Sequence, residues 1–158
     1  MTDATHDILL QKLEEHEAVI ASLYEAFAKC LPEMTGLWST LVGEEKTHAS
    51  WLKALRHKLE TEGGLLDRRS FNAAAVQTSI DYVTRIIART ASEPFTPMKA
   101  LTIALDLEIS LIEKDFFRIL ATDTAAVRQL FEELKRQTAA HQKRLEDQLS
   151  AERAKRAK

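Results

Sequence analysis

Leu41-Val42-Gly43-Glu44-Glu45-Lys46-Thr47-His48-Ala49-Ser50-Trp51-Leu52 is the stretch on which the fold turns. Taken in steps of three and four, its apolar positions continue upstream to Trp38 and downstream to Leu55 and Leu59. A stripe of this kind is the buried side of an amphipathic helix. Glu45 and His48 stand inside the stripe. A carboxylate in a helix core is expensive to desolvate, so ionisable groups on the buried side carry the information. Positions i and i+3 share a helix face, and both side chains can therefore enter one pocket.

The pattern occurs twice. Leu134, Thr138, His141 and Leu145 match Leu41, Glu45, His48 and Leu52 step for step. Each copy is preceded by a seam that carries one glutamate. Glu17 lies 28 residues before Glu45, on a seam of Leu10, Leu13, Ile20, Tyr24, Phe27 and Leu31. Glu108 lies 30 residues before Thr138, on a seam of Leu101, Leu105, Ile112, Asp115 and Ile119. The last seam reads Val127, Leu130 or Phe131, Leu134, Thr138, His141, Leu145 and Gln148.

This spacing predicts helices over about 5–31, 34–62, 97–120 and 125–150. Pro32 stops the first and Gly63-Gly64 the second, while Thr96-Pro97 and Thr122-Asp123-Thr124 open the others as N-caps. Between the pairs, 63–97 is a long crossover holding a shorter helix over about 72–91, with Val76, Ile80, Val83 and Ile87 on one side. The tail, 151–158, is polar all round and is expected to fray into solvent. The expectation is an all-α fold: one domain over 1–158, a four-helix bundle with its core at about 7–149 and a fifth helix in the crossover.

Composition narrows the chemistry. The single cysteine, Cys30, excludes an intramolecular disulfide and a Cys-x-x-Cys iron centre, and is expected to be inert. A net charge of −2 gives no basic field for nucleic acid. No run reaches the roughly 20 apolar residues a membrane span needs. The start, Met1-Thr2-Asp3-Ala4-Thr5-His6-Asp7, has no signal-peptide pattern, so a cytoplasmic location is expected.

Glu17, Glu45, His48, Glu108 and His141 thus all fall on predicted seams. Carboxylates supply hard oxygen ligands and imidazoles complete the coordination, so such a set can surround a pair of iron or manganese ions. The alternative is a metal-free polar core in which His48 or His141 pairs with Glu108. Tyr24 is either a hydrogen-bond donor to a ligating carboxylate or an ordinary core aromatic. His16 points away from the Glu17 seam, His6 and His57 are expected at the surface, and Trp38 and Trp51 are read as packing residues. Lys53, Arg56, His57 and Lys58 form a basic cluster followed at once by Glu60 and Glu62, the pattern of a solvated face.

The four-part arrangement resembles the ferritin-like superfamily, and most of all its rubrerythrin branch. The resemblance is carried by Glu17 with Tyr24 seven residues on, by Gly43-Glu44-Glu45-Lys46-Thr47-His48-Ala49, and by Ala104-Leu105-Asp106-Leu107-Glu108. It spans about residues 7–149. It implies a site for two iron ions, with a single ion near Glu17, Glu45 and His48 as the reduced possibility and manganese or zinc as alternatives. Glu17 and Glu108 would be terminal ligands, Glu45 a bridge, and His48 and His141 would cap one metal each. The family's second bridging glutamate falls where this chain has Thr138, and neither Gln137 nor Glu133 stands at that position. Asp115 replaces the tyrosine of the repeat, as a stray ligand or an acceptor for His141. The implied activity is rubrerythrin-like peroxide reduction or ferroxidase-type iron oxidation. It would use a small oxidant such as peroxide or oxygen and a separate electron donor, and the resemblance admits a homodimer. The alternative is a non-catalytic ferritin-like scaffold that has lost full dimetal binding.

Overall fold

The computed structural model describes residues 4–62 and 73–157, the side chains of residues 4–7 excepted. The chain is all-helical among these residues. The helices are α1 (Ala4–Cys30), α2 (Thr35–Glu62), α3 (Ala73–Thr90), α4 (Pro97–Glu113) and α5 (Ala125–Arg156), with a single 3-10 turn at Pro32–Met34. The Gly63-Gly64 stop, the start of the crossover and His6 lie outside the described side chains and segments. Among the described residues, no helix is long and apolar enough to cross a membrane.

Local chemistry explains most boundaries. Pro32 has no N–H to continue α1, and the short turn reverses the chain so that α1 packs along α2. Thr96 accepts a hydrogen bond from the Lys99 N–H at 3.1 Å with Pro97 in the first turn, and Thr124 accepts from Val127 at 3.4 Å. α1 packs on α2 and α3, α4 on α5, and α2 meets α5. The buried stripe of α2 is Trp38, Leu41, Glu45, His48, Leu52, Leu55 and Leu59, the seam read from the sequence.

α1 buries a second stripe beside its first: Leu9, His16 and Leu23 accompany Leu10, Leu13, Glu17, Ile20, Tyr24 and Phe27. The added stripe meets α3, which buries Val76, Ser79, Val83 and Ile86, with Ile80 and Ile87 partly covered. His16 is therefore a core residue. Its Nε2 lies 2.7 Å from the Ser79 hydroxyl, and its ring meets Phe116 edge-on at 5.5 Å. Burial lowers its pKa from 6.5 to about 4. His57, by contrast, is exposed.

Three boundaries and seams differ from the sequence reading. α4 ends at Glu113 instead of continuing to 120, and Asp115 takes φ 51 in the left-handed region, which Asp tolerates better than most residues. The break lets Phe116 and Phe117 turn inward, Phe116 onto His16 and Phe117 onto Phe131. Burying each is worth about 1.5–3 kcal/mol, more than the few helical hydrogen bonds given up.

The buried seam of α4 is Ala100, Leu101, Ala104, Leu107, Glu108 and Leu111, while Leu105 is half-buried and Ile112 exposed. Two tracks of three-and-four steps run through Glu108, and the helix buries the one containing alanines. Finally, α5 remains helical to Arg156, so the polar tail extends the helix instead of fraying, and Leu149 closes its seam while Gln148 is half-buried.

Candidate metal centre

Four helices deliver five ionisable side chains to one interior point: Glu17 from α1, Glu45 and His48 from α2, Glu108 from α4 and His141 from α5. All five are at most 1% exposed. Glu17, Glu45 and His48 each offer a ligand atom, and these lie within 4.8 Å of one another; the same holds for Glu45, Glu108 and His141. Donors sit about 2.0–2.5 Å from a coordinated cation, so those around one ion are separated by up to roughly 4–5 Å. The two trios share Glu45, as a carboxylate serving two adjacent cations must.

Burial and close approach shift the ionisable groups of this cluster away from their ordinary values. Burial, and then the charges of Glu45 and Glu108, push the Glu17 carboxyl well above its ordinary value. Glu108 is raised by burial and by Glu45, against the opposing contacts of His141 and Tyr24. Burial also pushes Glu45 up, but the His141 ring 2.9 Å away, His48 and the neighbouring Glu17 outweigh it and hold that carboxylate low. His141 is driven down by burial, yet Glu108 and Glu45 carry it to about 10. Three carboxylates in a buried pocket thus call for positive charge, which protons or a bound cation can supply.

Hydrogen bonding shows where that balance is incomplete. Neither oxygen of Glu17 has a partner, nor does Oε2 of Glu108. Nδ1 of His141 lies 2.9 Å from Glu45 Oε1 and 3.5 Å from Glu108 Oε1, without the angle of a hydrogen bond. Nδ1 of His48 faces Glu45 Oε2 at 3.3 Å. Buried polar atoms are nearly always partnered, and carboxylate oxygens of Glu17 and Glu108 left without a well-directed donor mark a place where a further positive centre fits. The donor set of carboxylates and imidazoles suits iron, manganese or zinc.

Both histidines present Nδ1 inward and Nε2 outward. Nε2 of His48 lies 2.5 Å from Oε1 of Gln137, whose amide nitrogen donates to Glu133 at 2.8 Å. The amide orientation is therefore set, and Nε2 of His48 must carry the proton. Nε2 of His141 lies 2.9 Å from Glu44 Oε2, and Glu44 is gripped by both terminal nitrogens of Arg144 at 2.9 and 3.3 Å. An outer acceptor on one ring nitrogen leaves the other free to ligate, the usual arrangement for a metal-binding histidine. The rings stack at 5.4 Å and 19°.

Several sequence-level candidates are now placed. Tyr24 donates to Glu108 Oε1 at 2.7 Å and is a hydrogen-bond partner of the group as well as a core aromatic, stacked near Trp38. The Thr138 hydroxyl donates to the Leu134 carbonyl at 2.8 Å, one turn back in its own helix, and brings no negative charge to the cluster. Asp115 lies beyond the end of α4, about half exposed and 3.6 Å from Lys135, so it is neither a stray ligand nor an acceptor for His141. Trp51 is half-buried against His48 at 5.5 Å. Of the basic cluster, Lys53, His57 and Lys58 are exposed, and Arg56 pairs with Glu14 at 3.1 Å.

Glu44, Gln137 and Arg144 were not legible as site residues. Glu44 and Gln137 do stand at matching places, each one residue before its repeat's Glu45 or Thr138. On a single helix they point about 100° off the seam. Only the register between α2 and α5 brings each to the other helix's histidine. No family model, no curated protein and no solved structure matches the chain.

Proposed function

We propose that this chain is a ferritin-like four-helix bundle of the rubrerythrin type. Its core would bind iron at two adjacent positions sharing Glu45, for redox chemistry with peroxide, oxygen or ferrous iron. The observation that carries the reading is the pair of overlapping trios with orphaned oxygens at their centre. Glu17, Glu45 and His48 would hold one ion and Glu45, Glu108 and His141 the other. Bound iron supplies one-electron chemistry toward a small oxidant.

The chain's own part is positional. Leu10, Leu13, Ile20, Leu52, Leu101 and Leu145 are fully buried parts of the same core and keep it dry. Tyr24 fixes one oxygen of Glu108, and Gln137 and Glu44 fix the two imidazoles. With Thr138 in place of a carboxylate, three negative charges face two cations, and water or a small anion must complete the coordination. The electrons for such chemistry would come from a donor other than this bundle.

A second reading has a specific observation behind it. His141 already meets Glu45 and Glu108, so the core could be a charge-balanced scaffold that carries no metal. Anaerobic titration with ferrous iron, followed by peroxide addition, separates the two. About two equivalents bound per chain and peroxide consumed on reduction support the redox reading. A folded, metal-free protein that binds neither ferrous iron nor manganese refutes it.

A further inference from the structure

The two metal positions proposed above differ outside the five converging residues. On the His141 side, the outer ring nitrogen faces a carboxylate, Glu44, at 2.9 Å. Arg144 takes up part of that charge but holds both oxygens, so Glu44 cannot turn away from the ring. On the His48 side, the corresponding acceptor is the neutral amide of Gln137 at 2.5 Å. An anionic acceptor makes the imidazole a stronger donor at its inner nitrogen than an amide does, and it fixes the ring more firmly.

The carboxylates differ in the same sense. Glu108 is anchored through Oε1 by Tyr24 at 2.7 Å, leaving Oε2 unpartnered. Glu17 meets only Glu45, another member of the cluster, and has no anchor outside it. A ligand held in place before binding loses less conformational freedom when the ion arrives. Both differences favour the same side.

We propose that Glu44, clamped by Arg144, is a positioning residue that makes the Glu45–Glu108–His141 position fill first and bind more tightly. The Glu17–Glu45–His48 position is then the weaker, more readily exchanged one. This inference rests on reading the core as a metal site. Glu44, Gln137 and Arg144 line one groove of about 620 Å³ between α2 and α5, so substitutions there alter a groove wall and leave the apolar core intact.

The test is an anaerobic titration of the full chain with Co²⁺, read by visible ligand-field absorption. The wild type should show two phases, the first at least about tenfold tighter. Glu44→Gln should weaken the first phase by about 10- to 100-fold, the range for loss of an outer partner of a ligating histidine, and leave the second nearly unchanged. Gln137→Glu should strengthen the second phase and narrow the gap. If only one equivalent binds, Glu44→Gln must weaken it more than Gln137→Ala does.

Two equal phases in the wild type, or a Glu44→Gln effect that is absent or shared equally, would overturn the inference while leaving the metal site standing. A wild type that binds no Co²⁺ overturns both. Should circular dichroism show Glu44→Gln unfolded, the Gln137→Glu variant decides alone: an unstrengthened second phase refutes the assignment.

Discussion

Replacing Glu17 with methionine should make the metal-free protein more stable and its response to metal weaker. Glu17 is 1% exposed, and neither of its oxygens is partnered. An unpaired buried polar group costs about 1–3 kcal/mol by protein mutational measures. Methionine is unbranched and adapts to an irregular gap, so it should fill the volume without forcing neighbours aside. A net gain of about 2–3 kcal/mol follows, within the range seen when buried ionisable groups are replaced by apolar ones. For a chain of this length that raises Tm by roughly 5–10 °C.

Metal should reverse the advantage. A ligand at a hundred times its Kd stabilises the native state by about 2.7 kcal/mol, and the variant keeps only two donors of one trio. Thermal melts of both proteins, with chelator and with saturating ferrous iron under anaerobic conditions, give the four numbers required. A variant less stable than wild type in chelator would show that the Glu17 oxygens are satisfied. Equal gains on adding iron would show that Glu17 is not a ligand.

Thr138→Glu should raise metal occupancy by adding a fourth carboxylate and lower metal-free stability by at least about 2 kcal/mol; occupancy unchanged on elemental analysis would mean the position does not face the ions. Metal binding should release protons, because His141 is held at about 10 and Glu17 and Glu108 are raised. Affinity should therefore climb with pH through neutrality, and calorimetry in buffers of different ionisation enthalpy should report the protons; a flat or falling profile contradicts this. His16 is held neutral in the fold, with a pKa lowered from 6.5 to about 4. Below 6.5 the unfolded chain binds a proton that the folded one refuses, so the His16 contribution is intact above 6.5 and is lost as pH falls toward 4. The full loss is about 3 kcal/mol, and the difference between the wild-type and His16→Gln denaturation curves should show it in that window alone.

Much of the architecture could be read from one dimension because the signals were local. Trp38 to Leu59 on α2 form a stripe whose period admits a single buried face, and Thr96 and Thr124 announce helix starts through contacts three residues away. α4 was harder for a physical reason. Leu101, Leu105, Glu108 and Ile112 make as good an apolar track as Leu101, Ala104, Glu108 and Leu111, and only the neighbouring helices choose between them. Its early end was equally hidden, since it depends on the room that His16 and Phe131 leave for Phe116 and Phe117.

The amino-acid order alone established that Glu17, Glu45, His48, Glu108 and His141 lie on buried helix faces, because burial of a helical residue follows from the polarity of neighbours three and four positions away. It also showed that Thr138 breaks the internal repeat. Tertiary structure decided what those side chains meet: Tyr24 on Glu108, Gln137 on His48, and Glu44 with Arg144 on His141. Each of these pairs joins residues 84 or more positions apart, or two different helices across a groove. The relative rotation and register of packed helices set such contacts, and no periodicity within one helix encodes them.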